Sequence, residues 1–164
     1  MKKFSNNLRE NVKLASYSWF NLGGQAQYFF KPKDKNQLLE FLEDAKKKNI
    51  KTLILGAGSN TLFRDKGVKG AVIKLGSNFS FTNLENKNII HTGAATLDRK
   101  VANFAKDNNL SEFEFLSCIP GSIGGAIIMN SGCYDKDISK ILISIQVIDK
   151  NSLKEEEIKM EDIK

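Results

Sequence analysis

Two glycine-rich segments constrain the fold of this chain more than any other feature of its sequence. The first, residues 56–61, follows an apolar run at residues 52–55 that is typical of a buried strand. The second, residues 117–134, carries four glycines. Glycine lets the backbone turn sharply and approach a ligand closely, and successive backbone amides in such a turn can hold a phosphate oxygen.

Together the two segments suit a long ligand with a central diphosphate, and a dinucleotide such as FAD fits that description. Residues 124–130 also predict a short helix, whose N-terminus would favour an anion. Each segment has a structural alternative, namely an ordinary turn for the first and a tightly packed core helix for the second. The first also lacks the third glycine of a dinucleotide fingerprint and the lysine of a P-loop.

Hydrophobic spacing around these segments predicts a mixture of helices and strands. Asp34 is a suitable N-cap for an amphipathic helix that ends in lysines and Asn49, and a second helix is predicted over residues 97–108. Strands are predicted at residues 27–30, 52–55, 71–75, 89–92 and 141–148. Residues 1–14 are interpreted as a polar arm and residues 155–164 as a polar tail. This order predicts an α+β fold with helices packed on sheets.

Composition narrows the classes of function. The net charge is +6, but the lysines are scattered apart from a cluster at residues 46–48, which suits a helix C-terminus. A basic nucleic-acid-binding module is therefore the weaker alternative. Two cysteines and one histidine offer no zinc site and no catalytic triad, and we expect no metal. No signal peptide or membrane-spanning run is recognised, so we expect a cytoplasmic protein.

Six segments in register resemble the UDP-N-acetylenolpyruvoylglucosamine reductase family, also called UDP-N-acetylmuramate dehydrogenases. They are residues 18–24, 55–62, 70–73, 93–95, 113–126 and 129–134. The resemblance implies a two-subdomain FAD-binding domain of the vanillyl-alcohol/p-cresol oxidase type. It places this domain at residues 15–164, with subdomains at approximately 15–75 and 76–164. Another FAD-dependent oxidase or dehydrogenase of the same fold is the nearest alternative.

The resemblance also implies the cofactor and its contacts. Residues 56–61 would cradle the diphosphate, residues 117–125 would line the flavin side, and residues 130–134 would support it. FAD would be dissociable, because Asn60 closes the first loop and no histidine lies near it. The implied cofactor-binding residues are Gly56, Ala57, Gly58, Ser59, Asn60, Thr61, Ser117, Ile119, Pro120, Gly121, Ser122, Gly124, Gly125, Asn130, Gly132 and Tyr134.

The family's reaction passes a hydride from NADPH to FAD and then to the enolpyruvyl group of a UDP-sugar, in peptidoglycan synthesis. The family's catalytic arginine matches no residue here, since no arginine follows Arg99. Its proton-donating serine and its glutamate belong to the substrate domain that follows in the family, and they match no residue here either. The resemblance therefore implies a C-terminally truncated chain that lacks the substrate domain and is inactive alone. As partners we expect the UDP-sugar, reached through that missing domain, but neither nucleic acid nor membrane, and we expect a monomer.

Overall fold

The computed structural model describes residues 2–163, which form ten strands, three α-helices and several short 3₁₀ turns. The strands are β1 (Leu8–Lys13), β2 (Gln25–Phe30), β3 (Thr52–Leu55), β4 (Val68–Lys74), β5 (Thr82–Glu85), β6 (Ile89–Thr92), β7 (Gly132–Cys133), β8 (Lys136–Asp137), β9 (Ser144–Ile148) and β10 (Glu155–Lys159). The helices are α1 (Lys35–Lys47), α2 (Asp98–Asp107) and α3 (Ile123–Met129).

A four-stranded sheet in the order β1-β2-β4-β3 forms the first half of the molecule. Strands β2, β4 and β3 are parallel, whereas β1 pairs antiparallel with β2 at the edge. Helix α1 connects β2 to β3, and the predicted N-cap is confirmed, since the Asp34 carboxylate accepts a hydrogen bond from Gln37 N at 2.8 Å. Because parallel strands share a direction, the carboxyl ends of β2, β3 and β4 meet at one edge of the sheet.

An aromatic cluster joins this sheet to α1. The rings of Phe30 and Phe41 stack with centroids 4.0 Å apart, and Phe4 packs edge-on against both. All three side chains are buried. The interpretation of residues 1–14 as a polar arm is incomplete, because Phe4 lies in the core and Leu8–Lys13 form a paired strand.

The polar tail expected at residues 155–164 is wrong for the same physical reason. Residues 155–159 form β10, which pairs antiparallel with β9. Edge strands such as β1 and β10 are held by backbone hydrogen bonds, so that their exposed side chains can be charged without breaking the ladder. Side-chain polarity therefore gave no indication of a strand in either place.

A second hydrophobic cluster lies in the later half of the chain. It joins α2, α3 and the 3₁₀ turn Glu114–Cys118 through Val101, Leu116 and Ile123, which are all buried. The predicted helices at 97–108 and 124–130 are thus confirmed within one or two residues. The division of residues 15–164 into two subdomains stays a prediction.

The aromatic cluster gives a first testable expectation. Phe41→Ala should lower the free energy of unfolding by about 3–5 kcal/mol, because it removes a fully buried ring and leaves a cavity between α1 and the sheet. Urea unfolding followed by circular dichroism measures this. Phe20, which is 53% exposed, offers a matched control. An equal loss in Phe20→Ala and Phe41→Ala would contradict the assignment of the core.

Candidate functional site

A large cleft of about 1390 Å³ lies at the carboxyl edge of the parallel strands. Its walls include residues from the end of β3, the end of β4, the start of α2 and most of α3. Both glycine-rich segments contribute to the lining. Ligand pockets for small molecules are usually about 300–1,000 Å³, so this cleft has room for a ligand as long as a dinucleotide.

The first glycine segment is held in a fixed shape by the neighbouring chain. Gly58 has a positive φ of 83°, and any Cβ there would overlap the carbonyl oxygen of Tyr17, so that only glycine fits. Trp19 N donates a hydrogen bond to Gly58 O at 3.1 Å, and Ser18 Oγ donates to Thr61 O at 2.5 Å. The loop is therefore pre-organised by residues 17–19 rather than free to adapt.

The second segment is fastened to the turn that precedes α2. Ile123 N donates to Thr96 O and Gly124 N donates to Ala94 O, each at 2.9 Å. These two amides are therefore engaged inside the protein. We expected the N-terminus of this short helix to favour an anion. For the amides of Ile123 and Gly124 this expectation is wrong, because a backbone N–H that already donates to a carbonyl has no hydrogen left for a ligand.

The two glycine segments meet across the cleft. A Cβ on Gly56 would lie 2.9 Å from Ser122 Oγ and 3.9 Å from the Cα of Gly125. Apart from the backbone of its own helix, a Cβ on Gly125 would have only Ser122 Oγ within 4 Å among the described residues, at 3.7 Å. The two backbones are therefore close together beside the cleft that both segments line, and the predicted convergence of the two segments is confirmed.

The predicted site residues divide into two groups. Eleven of them line the cleft: Gly56, Ala57, Gly58, Ser59, Asn60, Thr61, Ile119, Gly121, Ser122, Gly124 and Gly125. The other five, which are Ser117, Pro120, Asn130, Gly132 and Tyr134, are outside this lining.

Three of these five have other surroundings in the structure. Ser117 Oγ donates to Glu114 O at 2.6 Å within the 3₁₀ turn. Asn130 adopts the left-handed conformation after α3, and its Oδ1 accepts from Ser139 N at 3.0 Å. The Tyr134 side chain is 83% exposed. Capping and turn roles explain Asn130 and Ser117 without a ligand, and their part in cofactor binding stays a prediction.

The structure also brings ionisable side chains to the cleft that the sequence did not single out. Lys74, at the end of β4, donates from Nζ to Gly56 O at 2.5 Å. Burial, with a smaller effect of the positive charge on Lys31, lowers the pKa of Lys74. A lysine near the end of a predicted strand is a common pattern, so the sequence did not indicate that Lys74 lines the cleft.

Asp98 is the second ionisable residue that sequence reasoning missed. It is the first residue of α2, it is fully buried, and neither carboxylate oxygen has a hydrogen-bond partner within residues 2–163. Burial raises the pKa of Asp98 to about 7. An Asp at a helix start normally predicts a solvated cap, so that only the tertiary burial distinguishes it.

Other kinds of site find less support among residues 2–163. No group of three or more His, Cys, Asp or Glu side chains there is arranged to hold a metal ion, and no helix there has the length and apolarity to cross a membrane. Both cysteines are free thiols, and His91 packs against Phe81 and is not part of the cleft lining.

Comparison with known proteins agrees with this geometry. The FAD binding domain family matches residues 26–153. UDP-N-acetylenolpyruvoylglucosamine reductase of Pelagibacter ubique is 45% identical over 155 residues, which cover 92% of this chain and 51% of the relative. The reductase of Orientia tsutsugamushi is 43% identical over 157 residues, covering 94% and 52% respectively. The chain thus spans about half the length of the curated relatives it matches.

Solved structures give the same result. The crystal structure of UDP-N-acetylenolpyruvylglucosamine reductase from Thermus caldophilus superposes with a TM-score of 0.76 at 28% identity, covering 94% of this chain and 53% of that one. Aclacinomycin oxidoreductase superposes with a TM-score of 0.64 at 12% identity, covering 93% and 34%, which shows a shared fold. The expected α+β fold of the vanillyl-alcohol oxidase type is confirmed.

The residues of the cleft fit FAD. Both glycine-rich segments line the cleft, and Gly125 places no side chain in it, so that a ligand can approach the backbone of α3. Three buried side-chain oxygens, on Asp98 and Ser122 of the cleft lining, have no hydrogen-bond partner among residues 2–163. Such groups are rare in folded proteins unless a ligand or water completes them.

The burial of Asp98 predicts a pH-dependent stability. The carboxyl holds its proton more tightly in the folded chain, with a pKa of about 7, than in the unfolded chain, where the ordinary value is 3.8. The contribution of Asp98 to stability should therefore fall as the pH rises from about 4 to about 7. Asp98→Asn should raise the free energy of unfolding by roughly 1–3 kcal/mol at pH 7.5 and leave it almost unchanged at pH 4.

Urea unfolding of ligand-free protein at the two pH values measures this difference. Asp107→Asn is the matched control, since Asp107 lies exposed on the same helix and should give no pH-dependent gain. A lower stability of Asp98→Asn at pH 7.5 would contradict the burial of an unpartnered carboxyl.

Proposed function

Because the chain belongs to the FAD binding domain family and corresponds to the FAD-binding part of UDP-N-acetylenolpyruvoylglucosamine reductases, we propose that its cleft binds FAD for that reduction. The observation that carries the proposal is that both glycine-rich segments line one cleft at the carboxyl edge of the sheet, where the backbones of Gly56 and Gly125 come close together. A cofactor with a flat ring and a diphosphate needs such close access to the backbone, which any side chain at these positions would deny.

The first glycine segment is proposed to hold the diphosphate. Its backbone amides, with the side chains of Ser59, Asn60 and Thr61, line the cleft as hydrogen-bond donors. Lys74 lies behind Gly56 and adds positive charge near the same place. Since Lys74 is partly withdrawn from water, its attraction for an anion is screened less than that of a surface lysine.

The second segment is proposed to position the flavin ring. Ile119, Gly121, Ser122, Gly124 and Gly125 line the cleft, and the hydrogen bonds to Ala94 and Thr96 fix the backbone of this segment. A fixed wall of this kind orients a bound ring and excludes water from one face. When bound, FAD supplies the capacity to accept and pass on a hydride, while the protein supplies binding, orientation and charge. We propose that FAD is held without a covalent bond.

The activity of the whole reductase extends this proposal. We propose that NADPH is the hydride source and that the acceptor is the enolpyruvyl group of a UDP-linked sugar, in peptidoglycan synthesis in the cytoplasm. The chain spans about half of its curated relatives. We further propose that the proton donor and the groups that polarise the substrate carboxylate lie outside these 164 residues.

Filling the cleft from α3 should abolish cofactor binding without harming the fold. In Gly125→Leu the added Cβ meets only Ser122 Oγ, at 3.7 Å, and leucine also favours a helix more than glycine does. We expect thermal stability to be kept or raised while the affinity for FAD falls by at least about tenfold, a loss that corresponds to roughly 1.4 kcal/mol.

Fluorescence titration with FAD measures the affinity. Asn103→Leu adds the same side chain to the exposed surface of α2, away from the cleft lining, and should bind FAD like the unaltered chain. If Gly125→Leu binds FAD as tightly as the unaltered chain, the cleft is not the cofactor site.

Turnover should separate cofactor binding from the complete reaction. With FAD, NADPH and UDP-N-acetylglucosamine enolpyruvate, we expect the 164-residue chain to bind FAD but to give no sustained formation of UDP-N-acetylmuramate. Chromatography of the nucleotide sugar measures the product, and a reaction without protein corrects for oxidation of NADPH by free flavin. Repeated turnovers would show that the proton donor lies within this chain after all.

A further inference from the structure

A lysine of the sheet holds the peptide at which the first glycine segment begins. Lys74 is the last residue of β4, and its Nζ donates a hydrogen bond to Gly56 O at 2.5 Å. Leu55, the residue before Gly56, is the partner of Lys74 in the parallel ladder of β3 and β4. The side chain of Lys74 therefore connects two neighbouring strands at the edge where the cleft lies.

The residues that follow Gly56 carry backbone donors that the protein itself leaves unused. Ala57, Ser59 and Asn60 line the cleft, and within residues 2–163 no hydrogen bond from their backbone N–H groups is found. All three residues are at least partly exposed. Because a backbone donor engaged by no carbonyl can serve a ligand, these are groups from which a nest for an anion can be built.

The direction of the Gly56 carbonyl decides the direction of the first of these donors. In a planar trans peptide the C=O and N–H groups point to opposite sides. Since Gly56 O points to Lys74 Nζ, Ala57 N–H points away from the lysine. A rotation of this peptide would exchange the two groups, so that a carbonyl oxygen would stand where the amide hydrogen had been. Gly56 resists such a rotation little, because it has no Cβ.

We infer that Lys74 is a positioning residue for the cofactor, which fixes the Gly56–Ala57 peptide so that the amide of Ala57 and those after it can receive the diphosphate of a bound dinucleotide. This inference rests on the proposed function, which places the diphosphate at this segment. It gives Lys74 a role beyond its positive charge, since a wrongly turned carbonyl oxygen would repel the anion. Ser18 and Trp19 hold the later part of the segment, whereas Lys74 holds its beginning.

Lys31 offers a matched comparison, because it brings the same charge to the same cleft. It follows β2, the strand next to β4, and it lines the cleft as Lys74 does. Its Nζ lies over the rings of Tyr17 and Phe29, at 5.8 and 5.9 Å from their centres. In the part of the chain that the structure describes, no hydrogen bond links its side chain to the glycine segment. Removing Lys31 therefore takes away a charge, whereas removing Lys74 also frees Gly56 O.

Nuclear magnetic resonance of the isotope-labelled 164-residue chain tests this support without a ligand. The ¹³C signal of the Gly56 carbonyl carbon reports the hydrogen bond at its oxygen. In Lys74→Met, which nearly keeps the length of the side chain but has no donor, we expect this signal to shift. The order parameter of the Ala57 amide should fall from about 0.85 to below about 0.6. In Lys31→Met both should stay as in the unaltered chain.

Calorimetric titration with FAD, and with ADP-ribose, which keeps the diphosphate but lacks the flavin ring, measures the effect on binding. Lys31→Met should weaken both ligands by no more than about threefold. Lys74→Met should weaken them by at least about tenfold, because it loses an oriented donor as well as a charge. This difference should persist at about 1 M salt, where the Debye length is about 3 Å and charges are screened. Lys74→Arg, which keeps a donor and the charge, should recover the affinity to within about threefold.

The outcomes distinguish the positioning role from the proposed function. Equal losses in Lys31→Met and Lys74→Met, or equal affinities of the two variants at high salt, show that Lys74 acts through its charge alone. Either result, or an unchanged Gly56 carbonyl signal in Lys74→Met, overturns the positioning role and leaves the FAD site standing. Failure of the unaltered chain to bind FAD and ADP-ribose overturns both.

Circular dichroism monitors the fold of each variant. If Lys74→Met does not fold, Lys74→Gln takes its place with the same expected results, since its side chain is polar but ends one bond short of the lysine nitrogen.

Discussion

The close approach of two backbones, at Gly56 and Gly125, is the constraint on which the rest of this site depends. Any Cβ on Gly56 would press on Ser122 Oγ, and any larger side chain on Gly125 would fill the cleft. Although both residues are glycines, neither position is flexible. Both are held by neighbouring elements, so that absent side chains create a shaped space rather than a mobile loop.

The supports on the two sides are different in kind. The first glycine segment follows a strand of the parallel sheet and is fixed by hydrogen bonds from Ser18 and Trp19, which lie far away in sequence. The second is tied to the turn before α2 through the carbonyls of Ala94 and Thr96. The order of the strands positions the first glycine segment, and the packing of α2 against the 3₁₀ turn positions the second. The cleft therefore lies between the hydrophobic cluster of the sheet and α1 and the cluster of α2 and α3.

Burial also explains why two ionisable groups in the cleft lining have shifted pKa values. Withdrawal from water lowers the pKa of Lys74 and raises that of Asp98, in each case towards the neutral form. A protein rarely keeps unpartnered polar groups in such a place, because each one costs stability. Asp98 and Ser122 carry such groups among the described residues, whereas Lys74 donates to Gly56 O.

The sequence by itself determined the helices, the central strands, the glycine segments and the family, because hydrophobic period, capping residues and motif order are local properties that neighbouring residues fix. It failed for β1 and β10, where backbone pairing overrides side-chain polarity. Only the tertiary structure decided that Asp98 is buried without a partner and that Asn130 caps a helix. Burial and pairing are set by residues distant along the chain, and no local pattern encodes them.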